Sequence, residues 1–172
     1  MRKAQINSQF LVYILAVIIT AMILIYGYKA INDIRENAKT VERITFMSEI
    51  RTAVKSISPD YGTVKSRSFR VPSGYTEVCF VNLEYKENEA YAIISILPPK
   101  YQIMKEMVKA INAGDPVVPK NLYLCPNCAD QEYVGNITLI ENEEEVAYIC
   151  FPVQSGSIRL RLEGAGYMTI IS

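Results

Sequence analysis

From Phe10 to Tyr28 the chain carries no charged residue, and only Thr20 and Gly27 interrupt its apolar character. A helix rises about 1.5 Å per residue, so this run reaches roughly the 30 Å thickness of a bilayer's hydrocarbon core. A buried helix of a water-soluble domain is usually shorter, or shows a polar face over that length. Tyr13, Tyr26 and Tyr28 lie near the two ends, where amphipathic rings favour the membrane–water interface. Arg2 and Lys3 precede the run with no compensating acid, whereas Asp33 and Glu36 dilute Lys29 and Arg35 behind it. The positive-inside tendency therefore places the N-terminus in the cytoplasm and the rest outside the cell, with membrane lipid as the first partner.

A secretory signal peptide would have an apolar region of about 7–15 residues followed by a small-residue cleavage site. Here the small residue lies before the run, in Lys3-Ala4-Gln5. That arrangement resembles the class III signal of archaeal type IV pilins, which a prepilin peptidase cuts after a basic–small pair. The resemblance implies cleavage between Ala4 and Gln5 and an apolar helix that stays on the mature protein. Pilins often carry Ser two residues and Glu four residues after the new N-terminus; Asn7 and Gln9 stand there in this chain, with Ser8 between them. In the family that Glu pairs with a neighbouring subunit's N-terminal amine inside the fibre. The resemblance thus implies a homo-oligomer, or pilin partners, held through the N-terminal helix. Gln9 marks the assembly position and brings a hydrogen bond instead of a charge.

Helical periodicity continues past the span. Ile31, Ile34, Ala38, Val41, Ile44, Met47, Ile50, Val54 and Ile57 recur every three or four residues, which predicts one apolar stripe. Arg35, Glu36, Lys39, Glu42, Arg43 and Arg51 fill the other faces at spacings that allow ion pairs along the helix. Ser58-Pro59-Asp60-Tyr61-Gly62 then ends the pattern with strong turn chemistry. The stripe either packs on the chain's own C-terminal domain or joins stems of neighbouring copies. The resulting boundaries are a cytoplasmic tip over 1–9, a transmembrane helix over 10–28, an amphipathic stem over 29–58 and a β-rich exterior domain over 59–172. A long helix followed by strands is also the pilin layout.

After the turn the apolar period falls from near 3.6 to 2. Strands are predicted at Val64–Val71, Tyr75–Leu83, Ala90–Leu97, Asn121–Cys125, Tyr133–Ile140, Val146–Val153, Ser157–Leu162 and Tyr167–Ile171. Pro98-Pro99 stops the third of these. A short amphipathic helix follows over Tyr101–Ile111, with Ile103, Met104, Met107, Val108 and Ile111 inward. The acidic stretch Glu141-Asn142-Glu143-Glu144-Glu145 lacks the alternating oxygen ligands and Gly of a calcium loop, so it reads as a solvated hairpin tip. The fold class is α+β: a long helix, then an antiparallel sheet or small sandwich with one short helix. Tyr61-Gly62-Thr63-Val64-Lys65, Glu77-Val78-Cys79-Phe80-Val81 and Tyr133-Val134-Gly135-Asn136-Ile137-Thr138 resemble segments of archaeal membrane-anchored proteins, a group that brings no catalytic residues with it.

All four cysteines follow the span, where oxidation is expected. Cys79 and Cys150 both sit inside strands, and Cys125 and Cys128 close a short loop, which favours those two disulfides. Leu124-Cys125-Pro126-Asn127-Cys128 also resembles one knuckle of a zinc ribbon, so four-thiolate zinc stays open if the fold gathers all four. A redox Cys-x-x-Cys would need a helix starting after Cys128. Asn136-Ile137-Thr138 is the one N-glycosylation sequon, a modification suited to an exterior domain. The chain has no His, which removes the usual general base and the commonest metal ligand. Lys plus Arg and Asp plus Glu are 18 each, so no net field attracts nucleic acid. Neither an enzyme nor a cofactor is expected. The first expectation is a single-pass pilin-like surface protein, a structural subunit or an adhesion or assembly component. The alternatives are a signal-anchored exterior binding domain that never polymerises, and a membrane-tethered thiol-redox protein using Cys125 and Cys128.

Overall fold

The computed structural model describes residues 8–85 and 92–172, without the side chains of 8–10. The chain divides into two compact units, Met1–Val41 and Glu42–Ser172, with the division inside the first helix, α1 (Ser8–Ile57). In the first unit every residue from 11 to 41 is exposed. Thr20 donates its hydroxyl to the Ala16 carbonyl at 2.8 Å, so the run's one aliphatic hydroxyl is satisfied within its own helix.

The second unit holds two sheets. Its strands are β1 (Val64–Arg70), β2 (Glu77–Val81), β3 (Leu122–Cys125), β4 (Asp130–Glu132), β5 (Ile137–Glu141), β6 (Glu144–Val146), β7 (Tyr148–Pro152), β8 (Ser157–Gly164) and β9 (Thr169–Ile171). A short helix, α2 (Gln102–Asn112), follows a 3-10 turn at Pro99–Tyr101. One sheet runs β1-β8-β9-β5-β6 and the other β4-β3-β2-β7. The fold class is therefore α+β, with one departure from the antiparallel expectation. The strand β9 returns from β8 as a hairpin and lays its other edge along β5 in parallel.

Strand alternation lets the four-stranded sheet bury both faces. Val78 and Phe80 of β2, with Leu122 and Leu124 of β3, face the main core alongside Phe69, Leu139, Leu160 and Leu162 of the other sheet. The intervening Cys79, Val81, Tyr123 and Cys125 face a second core, closed by Ile94, Tyr101, Met104 and Val108. Only Met104 and Val108 of the five inward positions expected on α2 are fully buried.

The helix enters the main core through Phe46, Met47, Ile50, Ala53, Val54 and Ile57. The predicted stripe missed Phe46 and Ala53 and included Ile44, which is 58% exposed. At 3.6 residues per turn Ile44 points about 120° away from Ile50, whereas Phe46 lies only about 40° from it. A stripe read at steps of three and four drifts around the helix, and the core takes the later face. Arg43 and Arg51 also depart from expectation. They form ion pairs with Asp130 and Glu132 of β4, and Arg51 Nε donates to the Tyr133 carbonyl at 3.1 Å. Behind these pairs, Thr169 donates its hydroxyl to the Val54 carbonyl at 2.9 Å, and Gly164 lies against the helix end. A Cβ on Gly164 would meet the Ile57 carbonyl oxygen at 2.1 Å, so only glycine allows that approach.

Three strand expectations are corrected. The predicted strand Ala90–Leu97 is helical over 92–95, and residues 90 and 91 lie outside the described part. Ile94 alone is fully buried there while Ile96 is 83% exposed, a one-sided burial that suits a helical turn. Tyr133–Ile140 is a strand only from Ile137, because Asn121 captures the preceding loop. Its amide donates to the Gly135 carbonyl at 2.7 Å and accepts the Val134 N–H at 3.0 Å. Val146–Val153 breaks at buried Ala147, where the chain crosses from the five-stranded to the four-stranded sheet. The strand β4 has no signal in the sequence, since Asp-Gln-Glu carries little strand propensity; its backbone pairs with β3, and Asp130 and Glu132 add ion pairs.

Candidate functional sites in the apolar helix and the cysteine cluster

Two features stand apart from ordinary packing. The first is the α1 segment of the first unit. Leu11, Val12, Leu15, Ile19, Ile23 and Ile25 all have at least 49% of their surface open, and the helix is long and apolar enough to cross a membrane. Such an exposed run is far larger than the apolar patches that soluble monomers show. Ala4 and Gln5, the expected processing residues, lie outside the described part. Gln9 belongs to the backbone of α1.

The second feature is a cluster of all four cysteines in the second unit. Cys79 on β2 and Cys150 on β7 are direct cross-strand partners, with Cα atoms 4.0 Å apart, and are joined as a disulfide. Cys125 ends β3 and is bonded to Cys128 across the turn that leads into β4. Cys128 takes a left-handed backbone conformation, with φ 52°, that closes this turn. The two disulfides touch: Cys79 Sγ lies 3.9 Å from Cys125 Sγ. Cys79, Cys125 and Cys128 are completely buried, while Cys150 is partly exposed. With every cysteine oxidised, the structure forms disulfides where the zinc alternative needed thiolates. The chain also continues from Cys128 into a strand, not into the helix that a redox Cys-x-x-Cys would want.

A carboxylate borders these sulfurs. Glu77 sits on β2 two residues before Cys79, and its carboxylate lies within 4.8 Å of the Cys79 and Cys150 sulfurs. Lys100 donates to Glu77 Oε1 at 2.7 Å, and the Tyr101 hydroxyl donates to both oxygens at 3.0 and 3.1 Å. The Glu77 and Tyr101 bonds hold the Lys100 ammonium well above its usual range. Burial raises the phenol of Tyr148, next to Ala147 on β7, with Tyr101 and Glu141 adding to it. Glu77, Lys100 and Tyr101 carried no signal in the sequence, since 23 residues separate the carboxylate from its cation.

Two other sites are placed plainly. Asn136 is exposed just before β5, its amide oxygen accepting from the Tyr133 hydroxyl, and the sequon's Thr138 donates to Met168 Sδ at 2.8 Å. The acidic stretch forms the exposed β5–β6 hairpin, with Asn142 and Glu143 at φ 52° and 69° in its two-residue turn. Tyr75 donates to Asp130, and burial, then that bond, push its phenol up to about 12. A scan against protein-family models and searches of the curated proteins and of the solved structures find no match. The chain's distinguishing features are thus an apolar helix of membrane-spanning length and a disulfide-bonded α+β unit.

Proposed function

We propose that this chain is a single-pass, pilin-like surface protein, with its N-terminus in the cytoplasm and Glu42–Ser172 outside the cell. The observation that carries the reading is that every residue of α1 from 11 to 41 is exposed. In water that surface has no partner; in lipid it is solvated, and neighbouring helices of the same kind can pack on it. Two disulfides in the second unit suit an oxidising exterior. The Lys3-Ala4-Gln5 signal supports processing by a prepilin peptidase, and Asn136 stands exposed for an exterior glycan. The exposed stripe residues Ile31, Ile34 and Val41 give a second copy of the helix an apolar face to meet beyond the membrane.

Gln9 favours one competing reading, an anchored exterior domain that never polymerises, because an amide cannot neutralise a neighbour's N-terminal amine. Electron microscopy of cells producing the chain with a prepilin peptidase and assembly machinery separates the two. Filaments carrying the chain support the pilin-like reading. Membranes that yield only monomers, even after cross-linking, support the anchored domain instead.

A further inference from the structure

The geometry points to Cys150 as a site of covalent modification by small thiols, made persistent by the second disulfide. Cys150 is the one partly exposed cysteine of the four, so an external thiolate meets the cluster there. Attack on Cys150 Sγ forms a mixed disulfide and breaks the Cys79–Cys150 bond, leaving the electron pair on Cys79 Sγ. In an isolated disulfide, that Cys79 thiolate would attack back and expel the thiol. Here Cys125 Sγ lies 3.9 Å away, in contact, and is itself half of a disulfide. The Cys79 thiolate attacks Cys125, the Cys125–Cys128 bond breaks, and Cys128 leaves as the new thiolate.

The exchange balances without any further oxidant or reductant. One thiol enters, its sulfur ends on Cys150, Cys79 is bonded to Cys125, and its proton ends on Cys128. Two disulfide bonds and one free thiol stand on each side of the exchange. The ion pair of Glu77 with Lys100 matters here, because an unpaired carboxylate within 4.8 Å would repel both the incoming and the leaving thiolate. The exit position is also distinct: Cys128 Sγ approaches the Lys100 carbonyl oxygen at 3.6 Å, an acceptor for the thiol proton. None of this depends on the membrane topology, since all these residues lie in the second unit.

The test uses the oxidised full chain in detergent, incubated with glutathione without oxygen, acid-quenched, alkylated and mapped by mass spectrometry without reduction. The expected products are glutathione on Cys150, a Cys79–Cys125 link and alkylated Cys128. Alkylated Cys79 beside an intact Cys125–Cys128 bond overturns the proposal, as does an absence of adduct at Cys150. In a Cys125→Ser, Cys128→Ser variant the returning Cys79 thiolate has no trap, so adduct yield should fall on the order of tenfold; an unchanged yield overturns the trapping step. The single Cys128→Ser variant supplies an independent readout. Without added thiol it should already show Cys79 linked to Cys125 and Cys150 open to alkylation. Recovery of Cys79–Cys150 alone, with Cys125 alkylated, contradicts the contact on which the exchange depends.

Discussion

The two disulfides touch one another yet should differ widely in what they contribute to stability. Cys79 and Cys150 are 71 residues apart, whereas Cys125 and Cys128 are 3 apart. On the chain-entropy account a cross-link stabilises by restricting the unfolded chain, and the effect grows with the logarithm of the closed loop. Those separations correspond to about 4 kcal/mol for the strand disulfide and about 2 kcal/mol for the turn disulfide. The assay compares Cys79→Ala, Cys150→Ala with Cys125→Ala, Cys128→Ala, because alanine avoids burying a hydroxyl in the second core. Each pair removes two sulfurs from the same buried cluster, so the cavity terms are similar and the loop terms decide the difference. For a domain of this size a difference of about 2 kcal/mol separates the two midpoints by on the order of 10 °C. Thermal unfolding followed by near-ultraviolet circular dichroism reports it, because Tyr123 is packed in that core and the exposed apolar helix contributes no buried tyrosine. Equal midpoints, or a larger loss from the turn pair, would refute the loop argument and point to native-state contacts instead.

Other consequences follow from single contacts. Phe46→Ala should cost about 3–5 kcal/mol, since the ring is 1% exposed in the main core, whereas Ile44→Ala on the neighbouring face should fall within about 0.5 kcal/mol; chemical denaturation distinguishes them, and equal losses would place Ile44 in the core face. Gly164→Ala should destabilise by about 1–3 kcal/mol or more, because the added carbon meets the Ile57 and Asp60 carbonyl oxygens and neither is a movable side-chain end. Tyr75 should ionise near pH 12 in a spectrophotometric titration, and Asp130→Asn should lower that value without restoring an ordinary phenol, since burial is the larger cause. The sign follows: the folded state holds the Tyr75 proton more tightly, so its contribution is complete below about pH 10 and fades as pH rises to about 12.

Much of this architecture was legible because period and punctuation are local. The uncharged run ending at Tyr28, the turn after Ile57, the strand at Val64–Arg70 and the amphipathic spacing of α2 each depend on neighbours in the chain. The favoured cysteine pairing also rested on local reasoning, two strand residues and one short loop, and the structure contains those two disulfides. What escaped is long-range. The strand β4 pairs with β3, and its Asp130 and Glu132 meet Arg43 and Arg51, more than 80 residues away. The helical turn at 92–95 looked like a strand, since a short Ile-rich run cannot show whether one face or two will be covered. The contact between the two disulfides arises from β2 lying between β3 and β7, an order no spacing encodes. Gly164 gave no sign of its role because the carbonyls it admits belong to a helix end more than 100 residues earlier.

The central claim is that the apolar helix is processed as a pilin signal and kept as a membrane anchor. Mass spectrometry of the N-terminal peptide from native protein extracted from membranes tests it most directly. The account predicts a first residue of Gln5, with Phe10–Tyr28 still attached to the disulfide-bonded unit. An intact Met1 on the membrane-bound chain would contradict the processing, and a soluble chain lacking the apolar run would contradict the anchor as well.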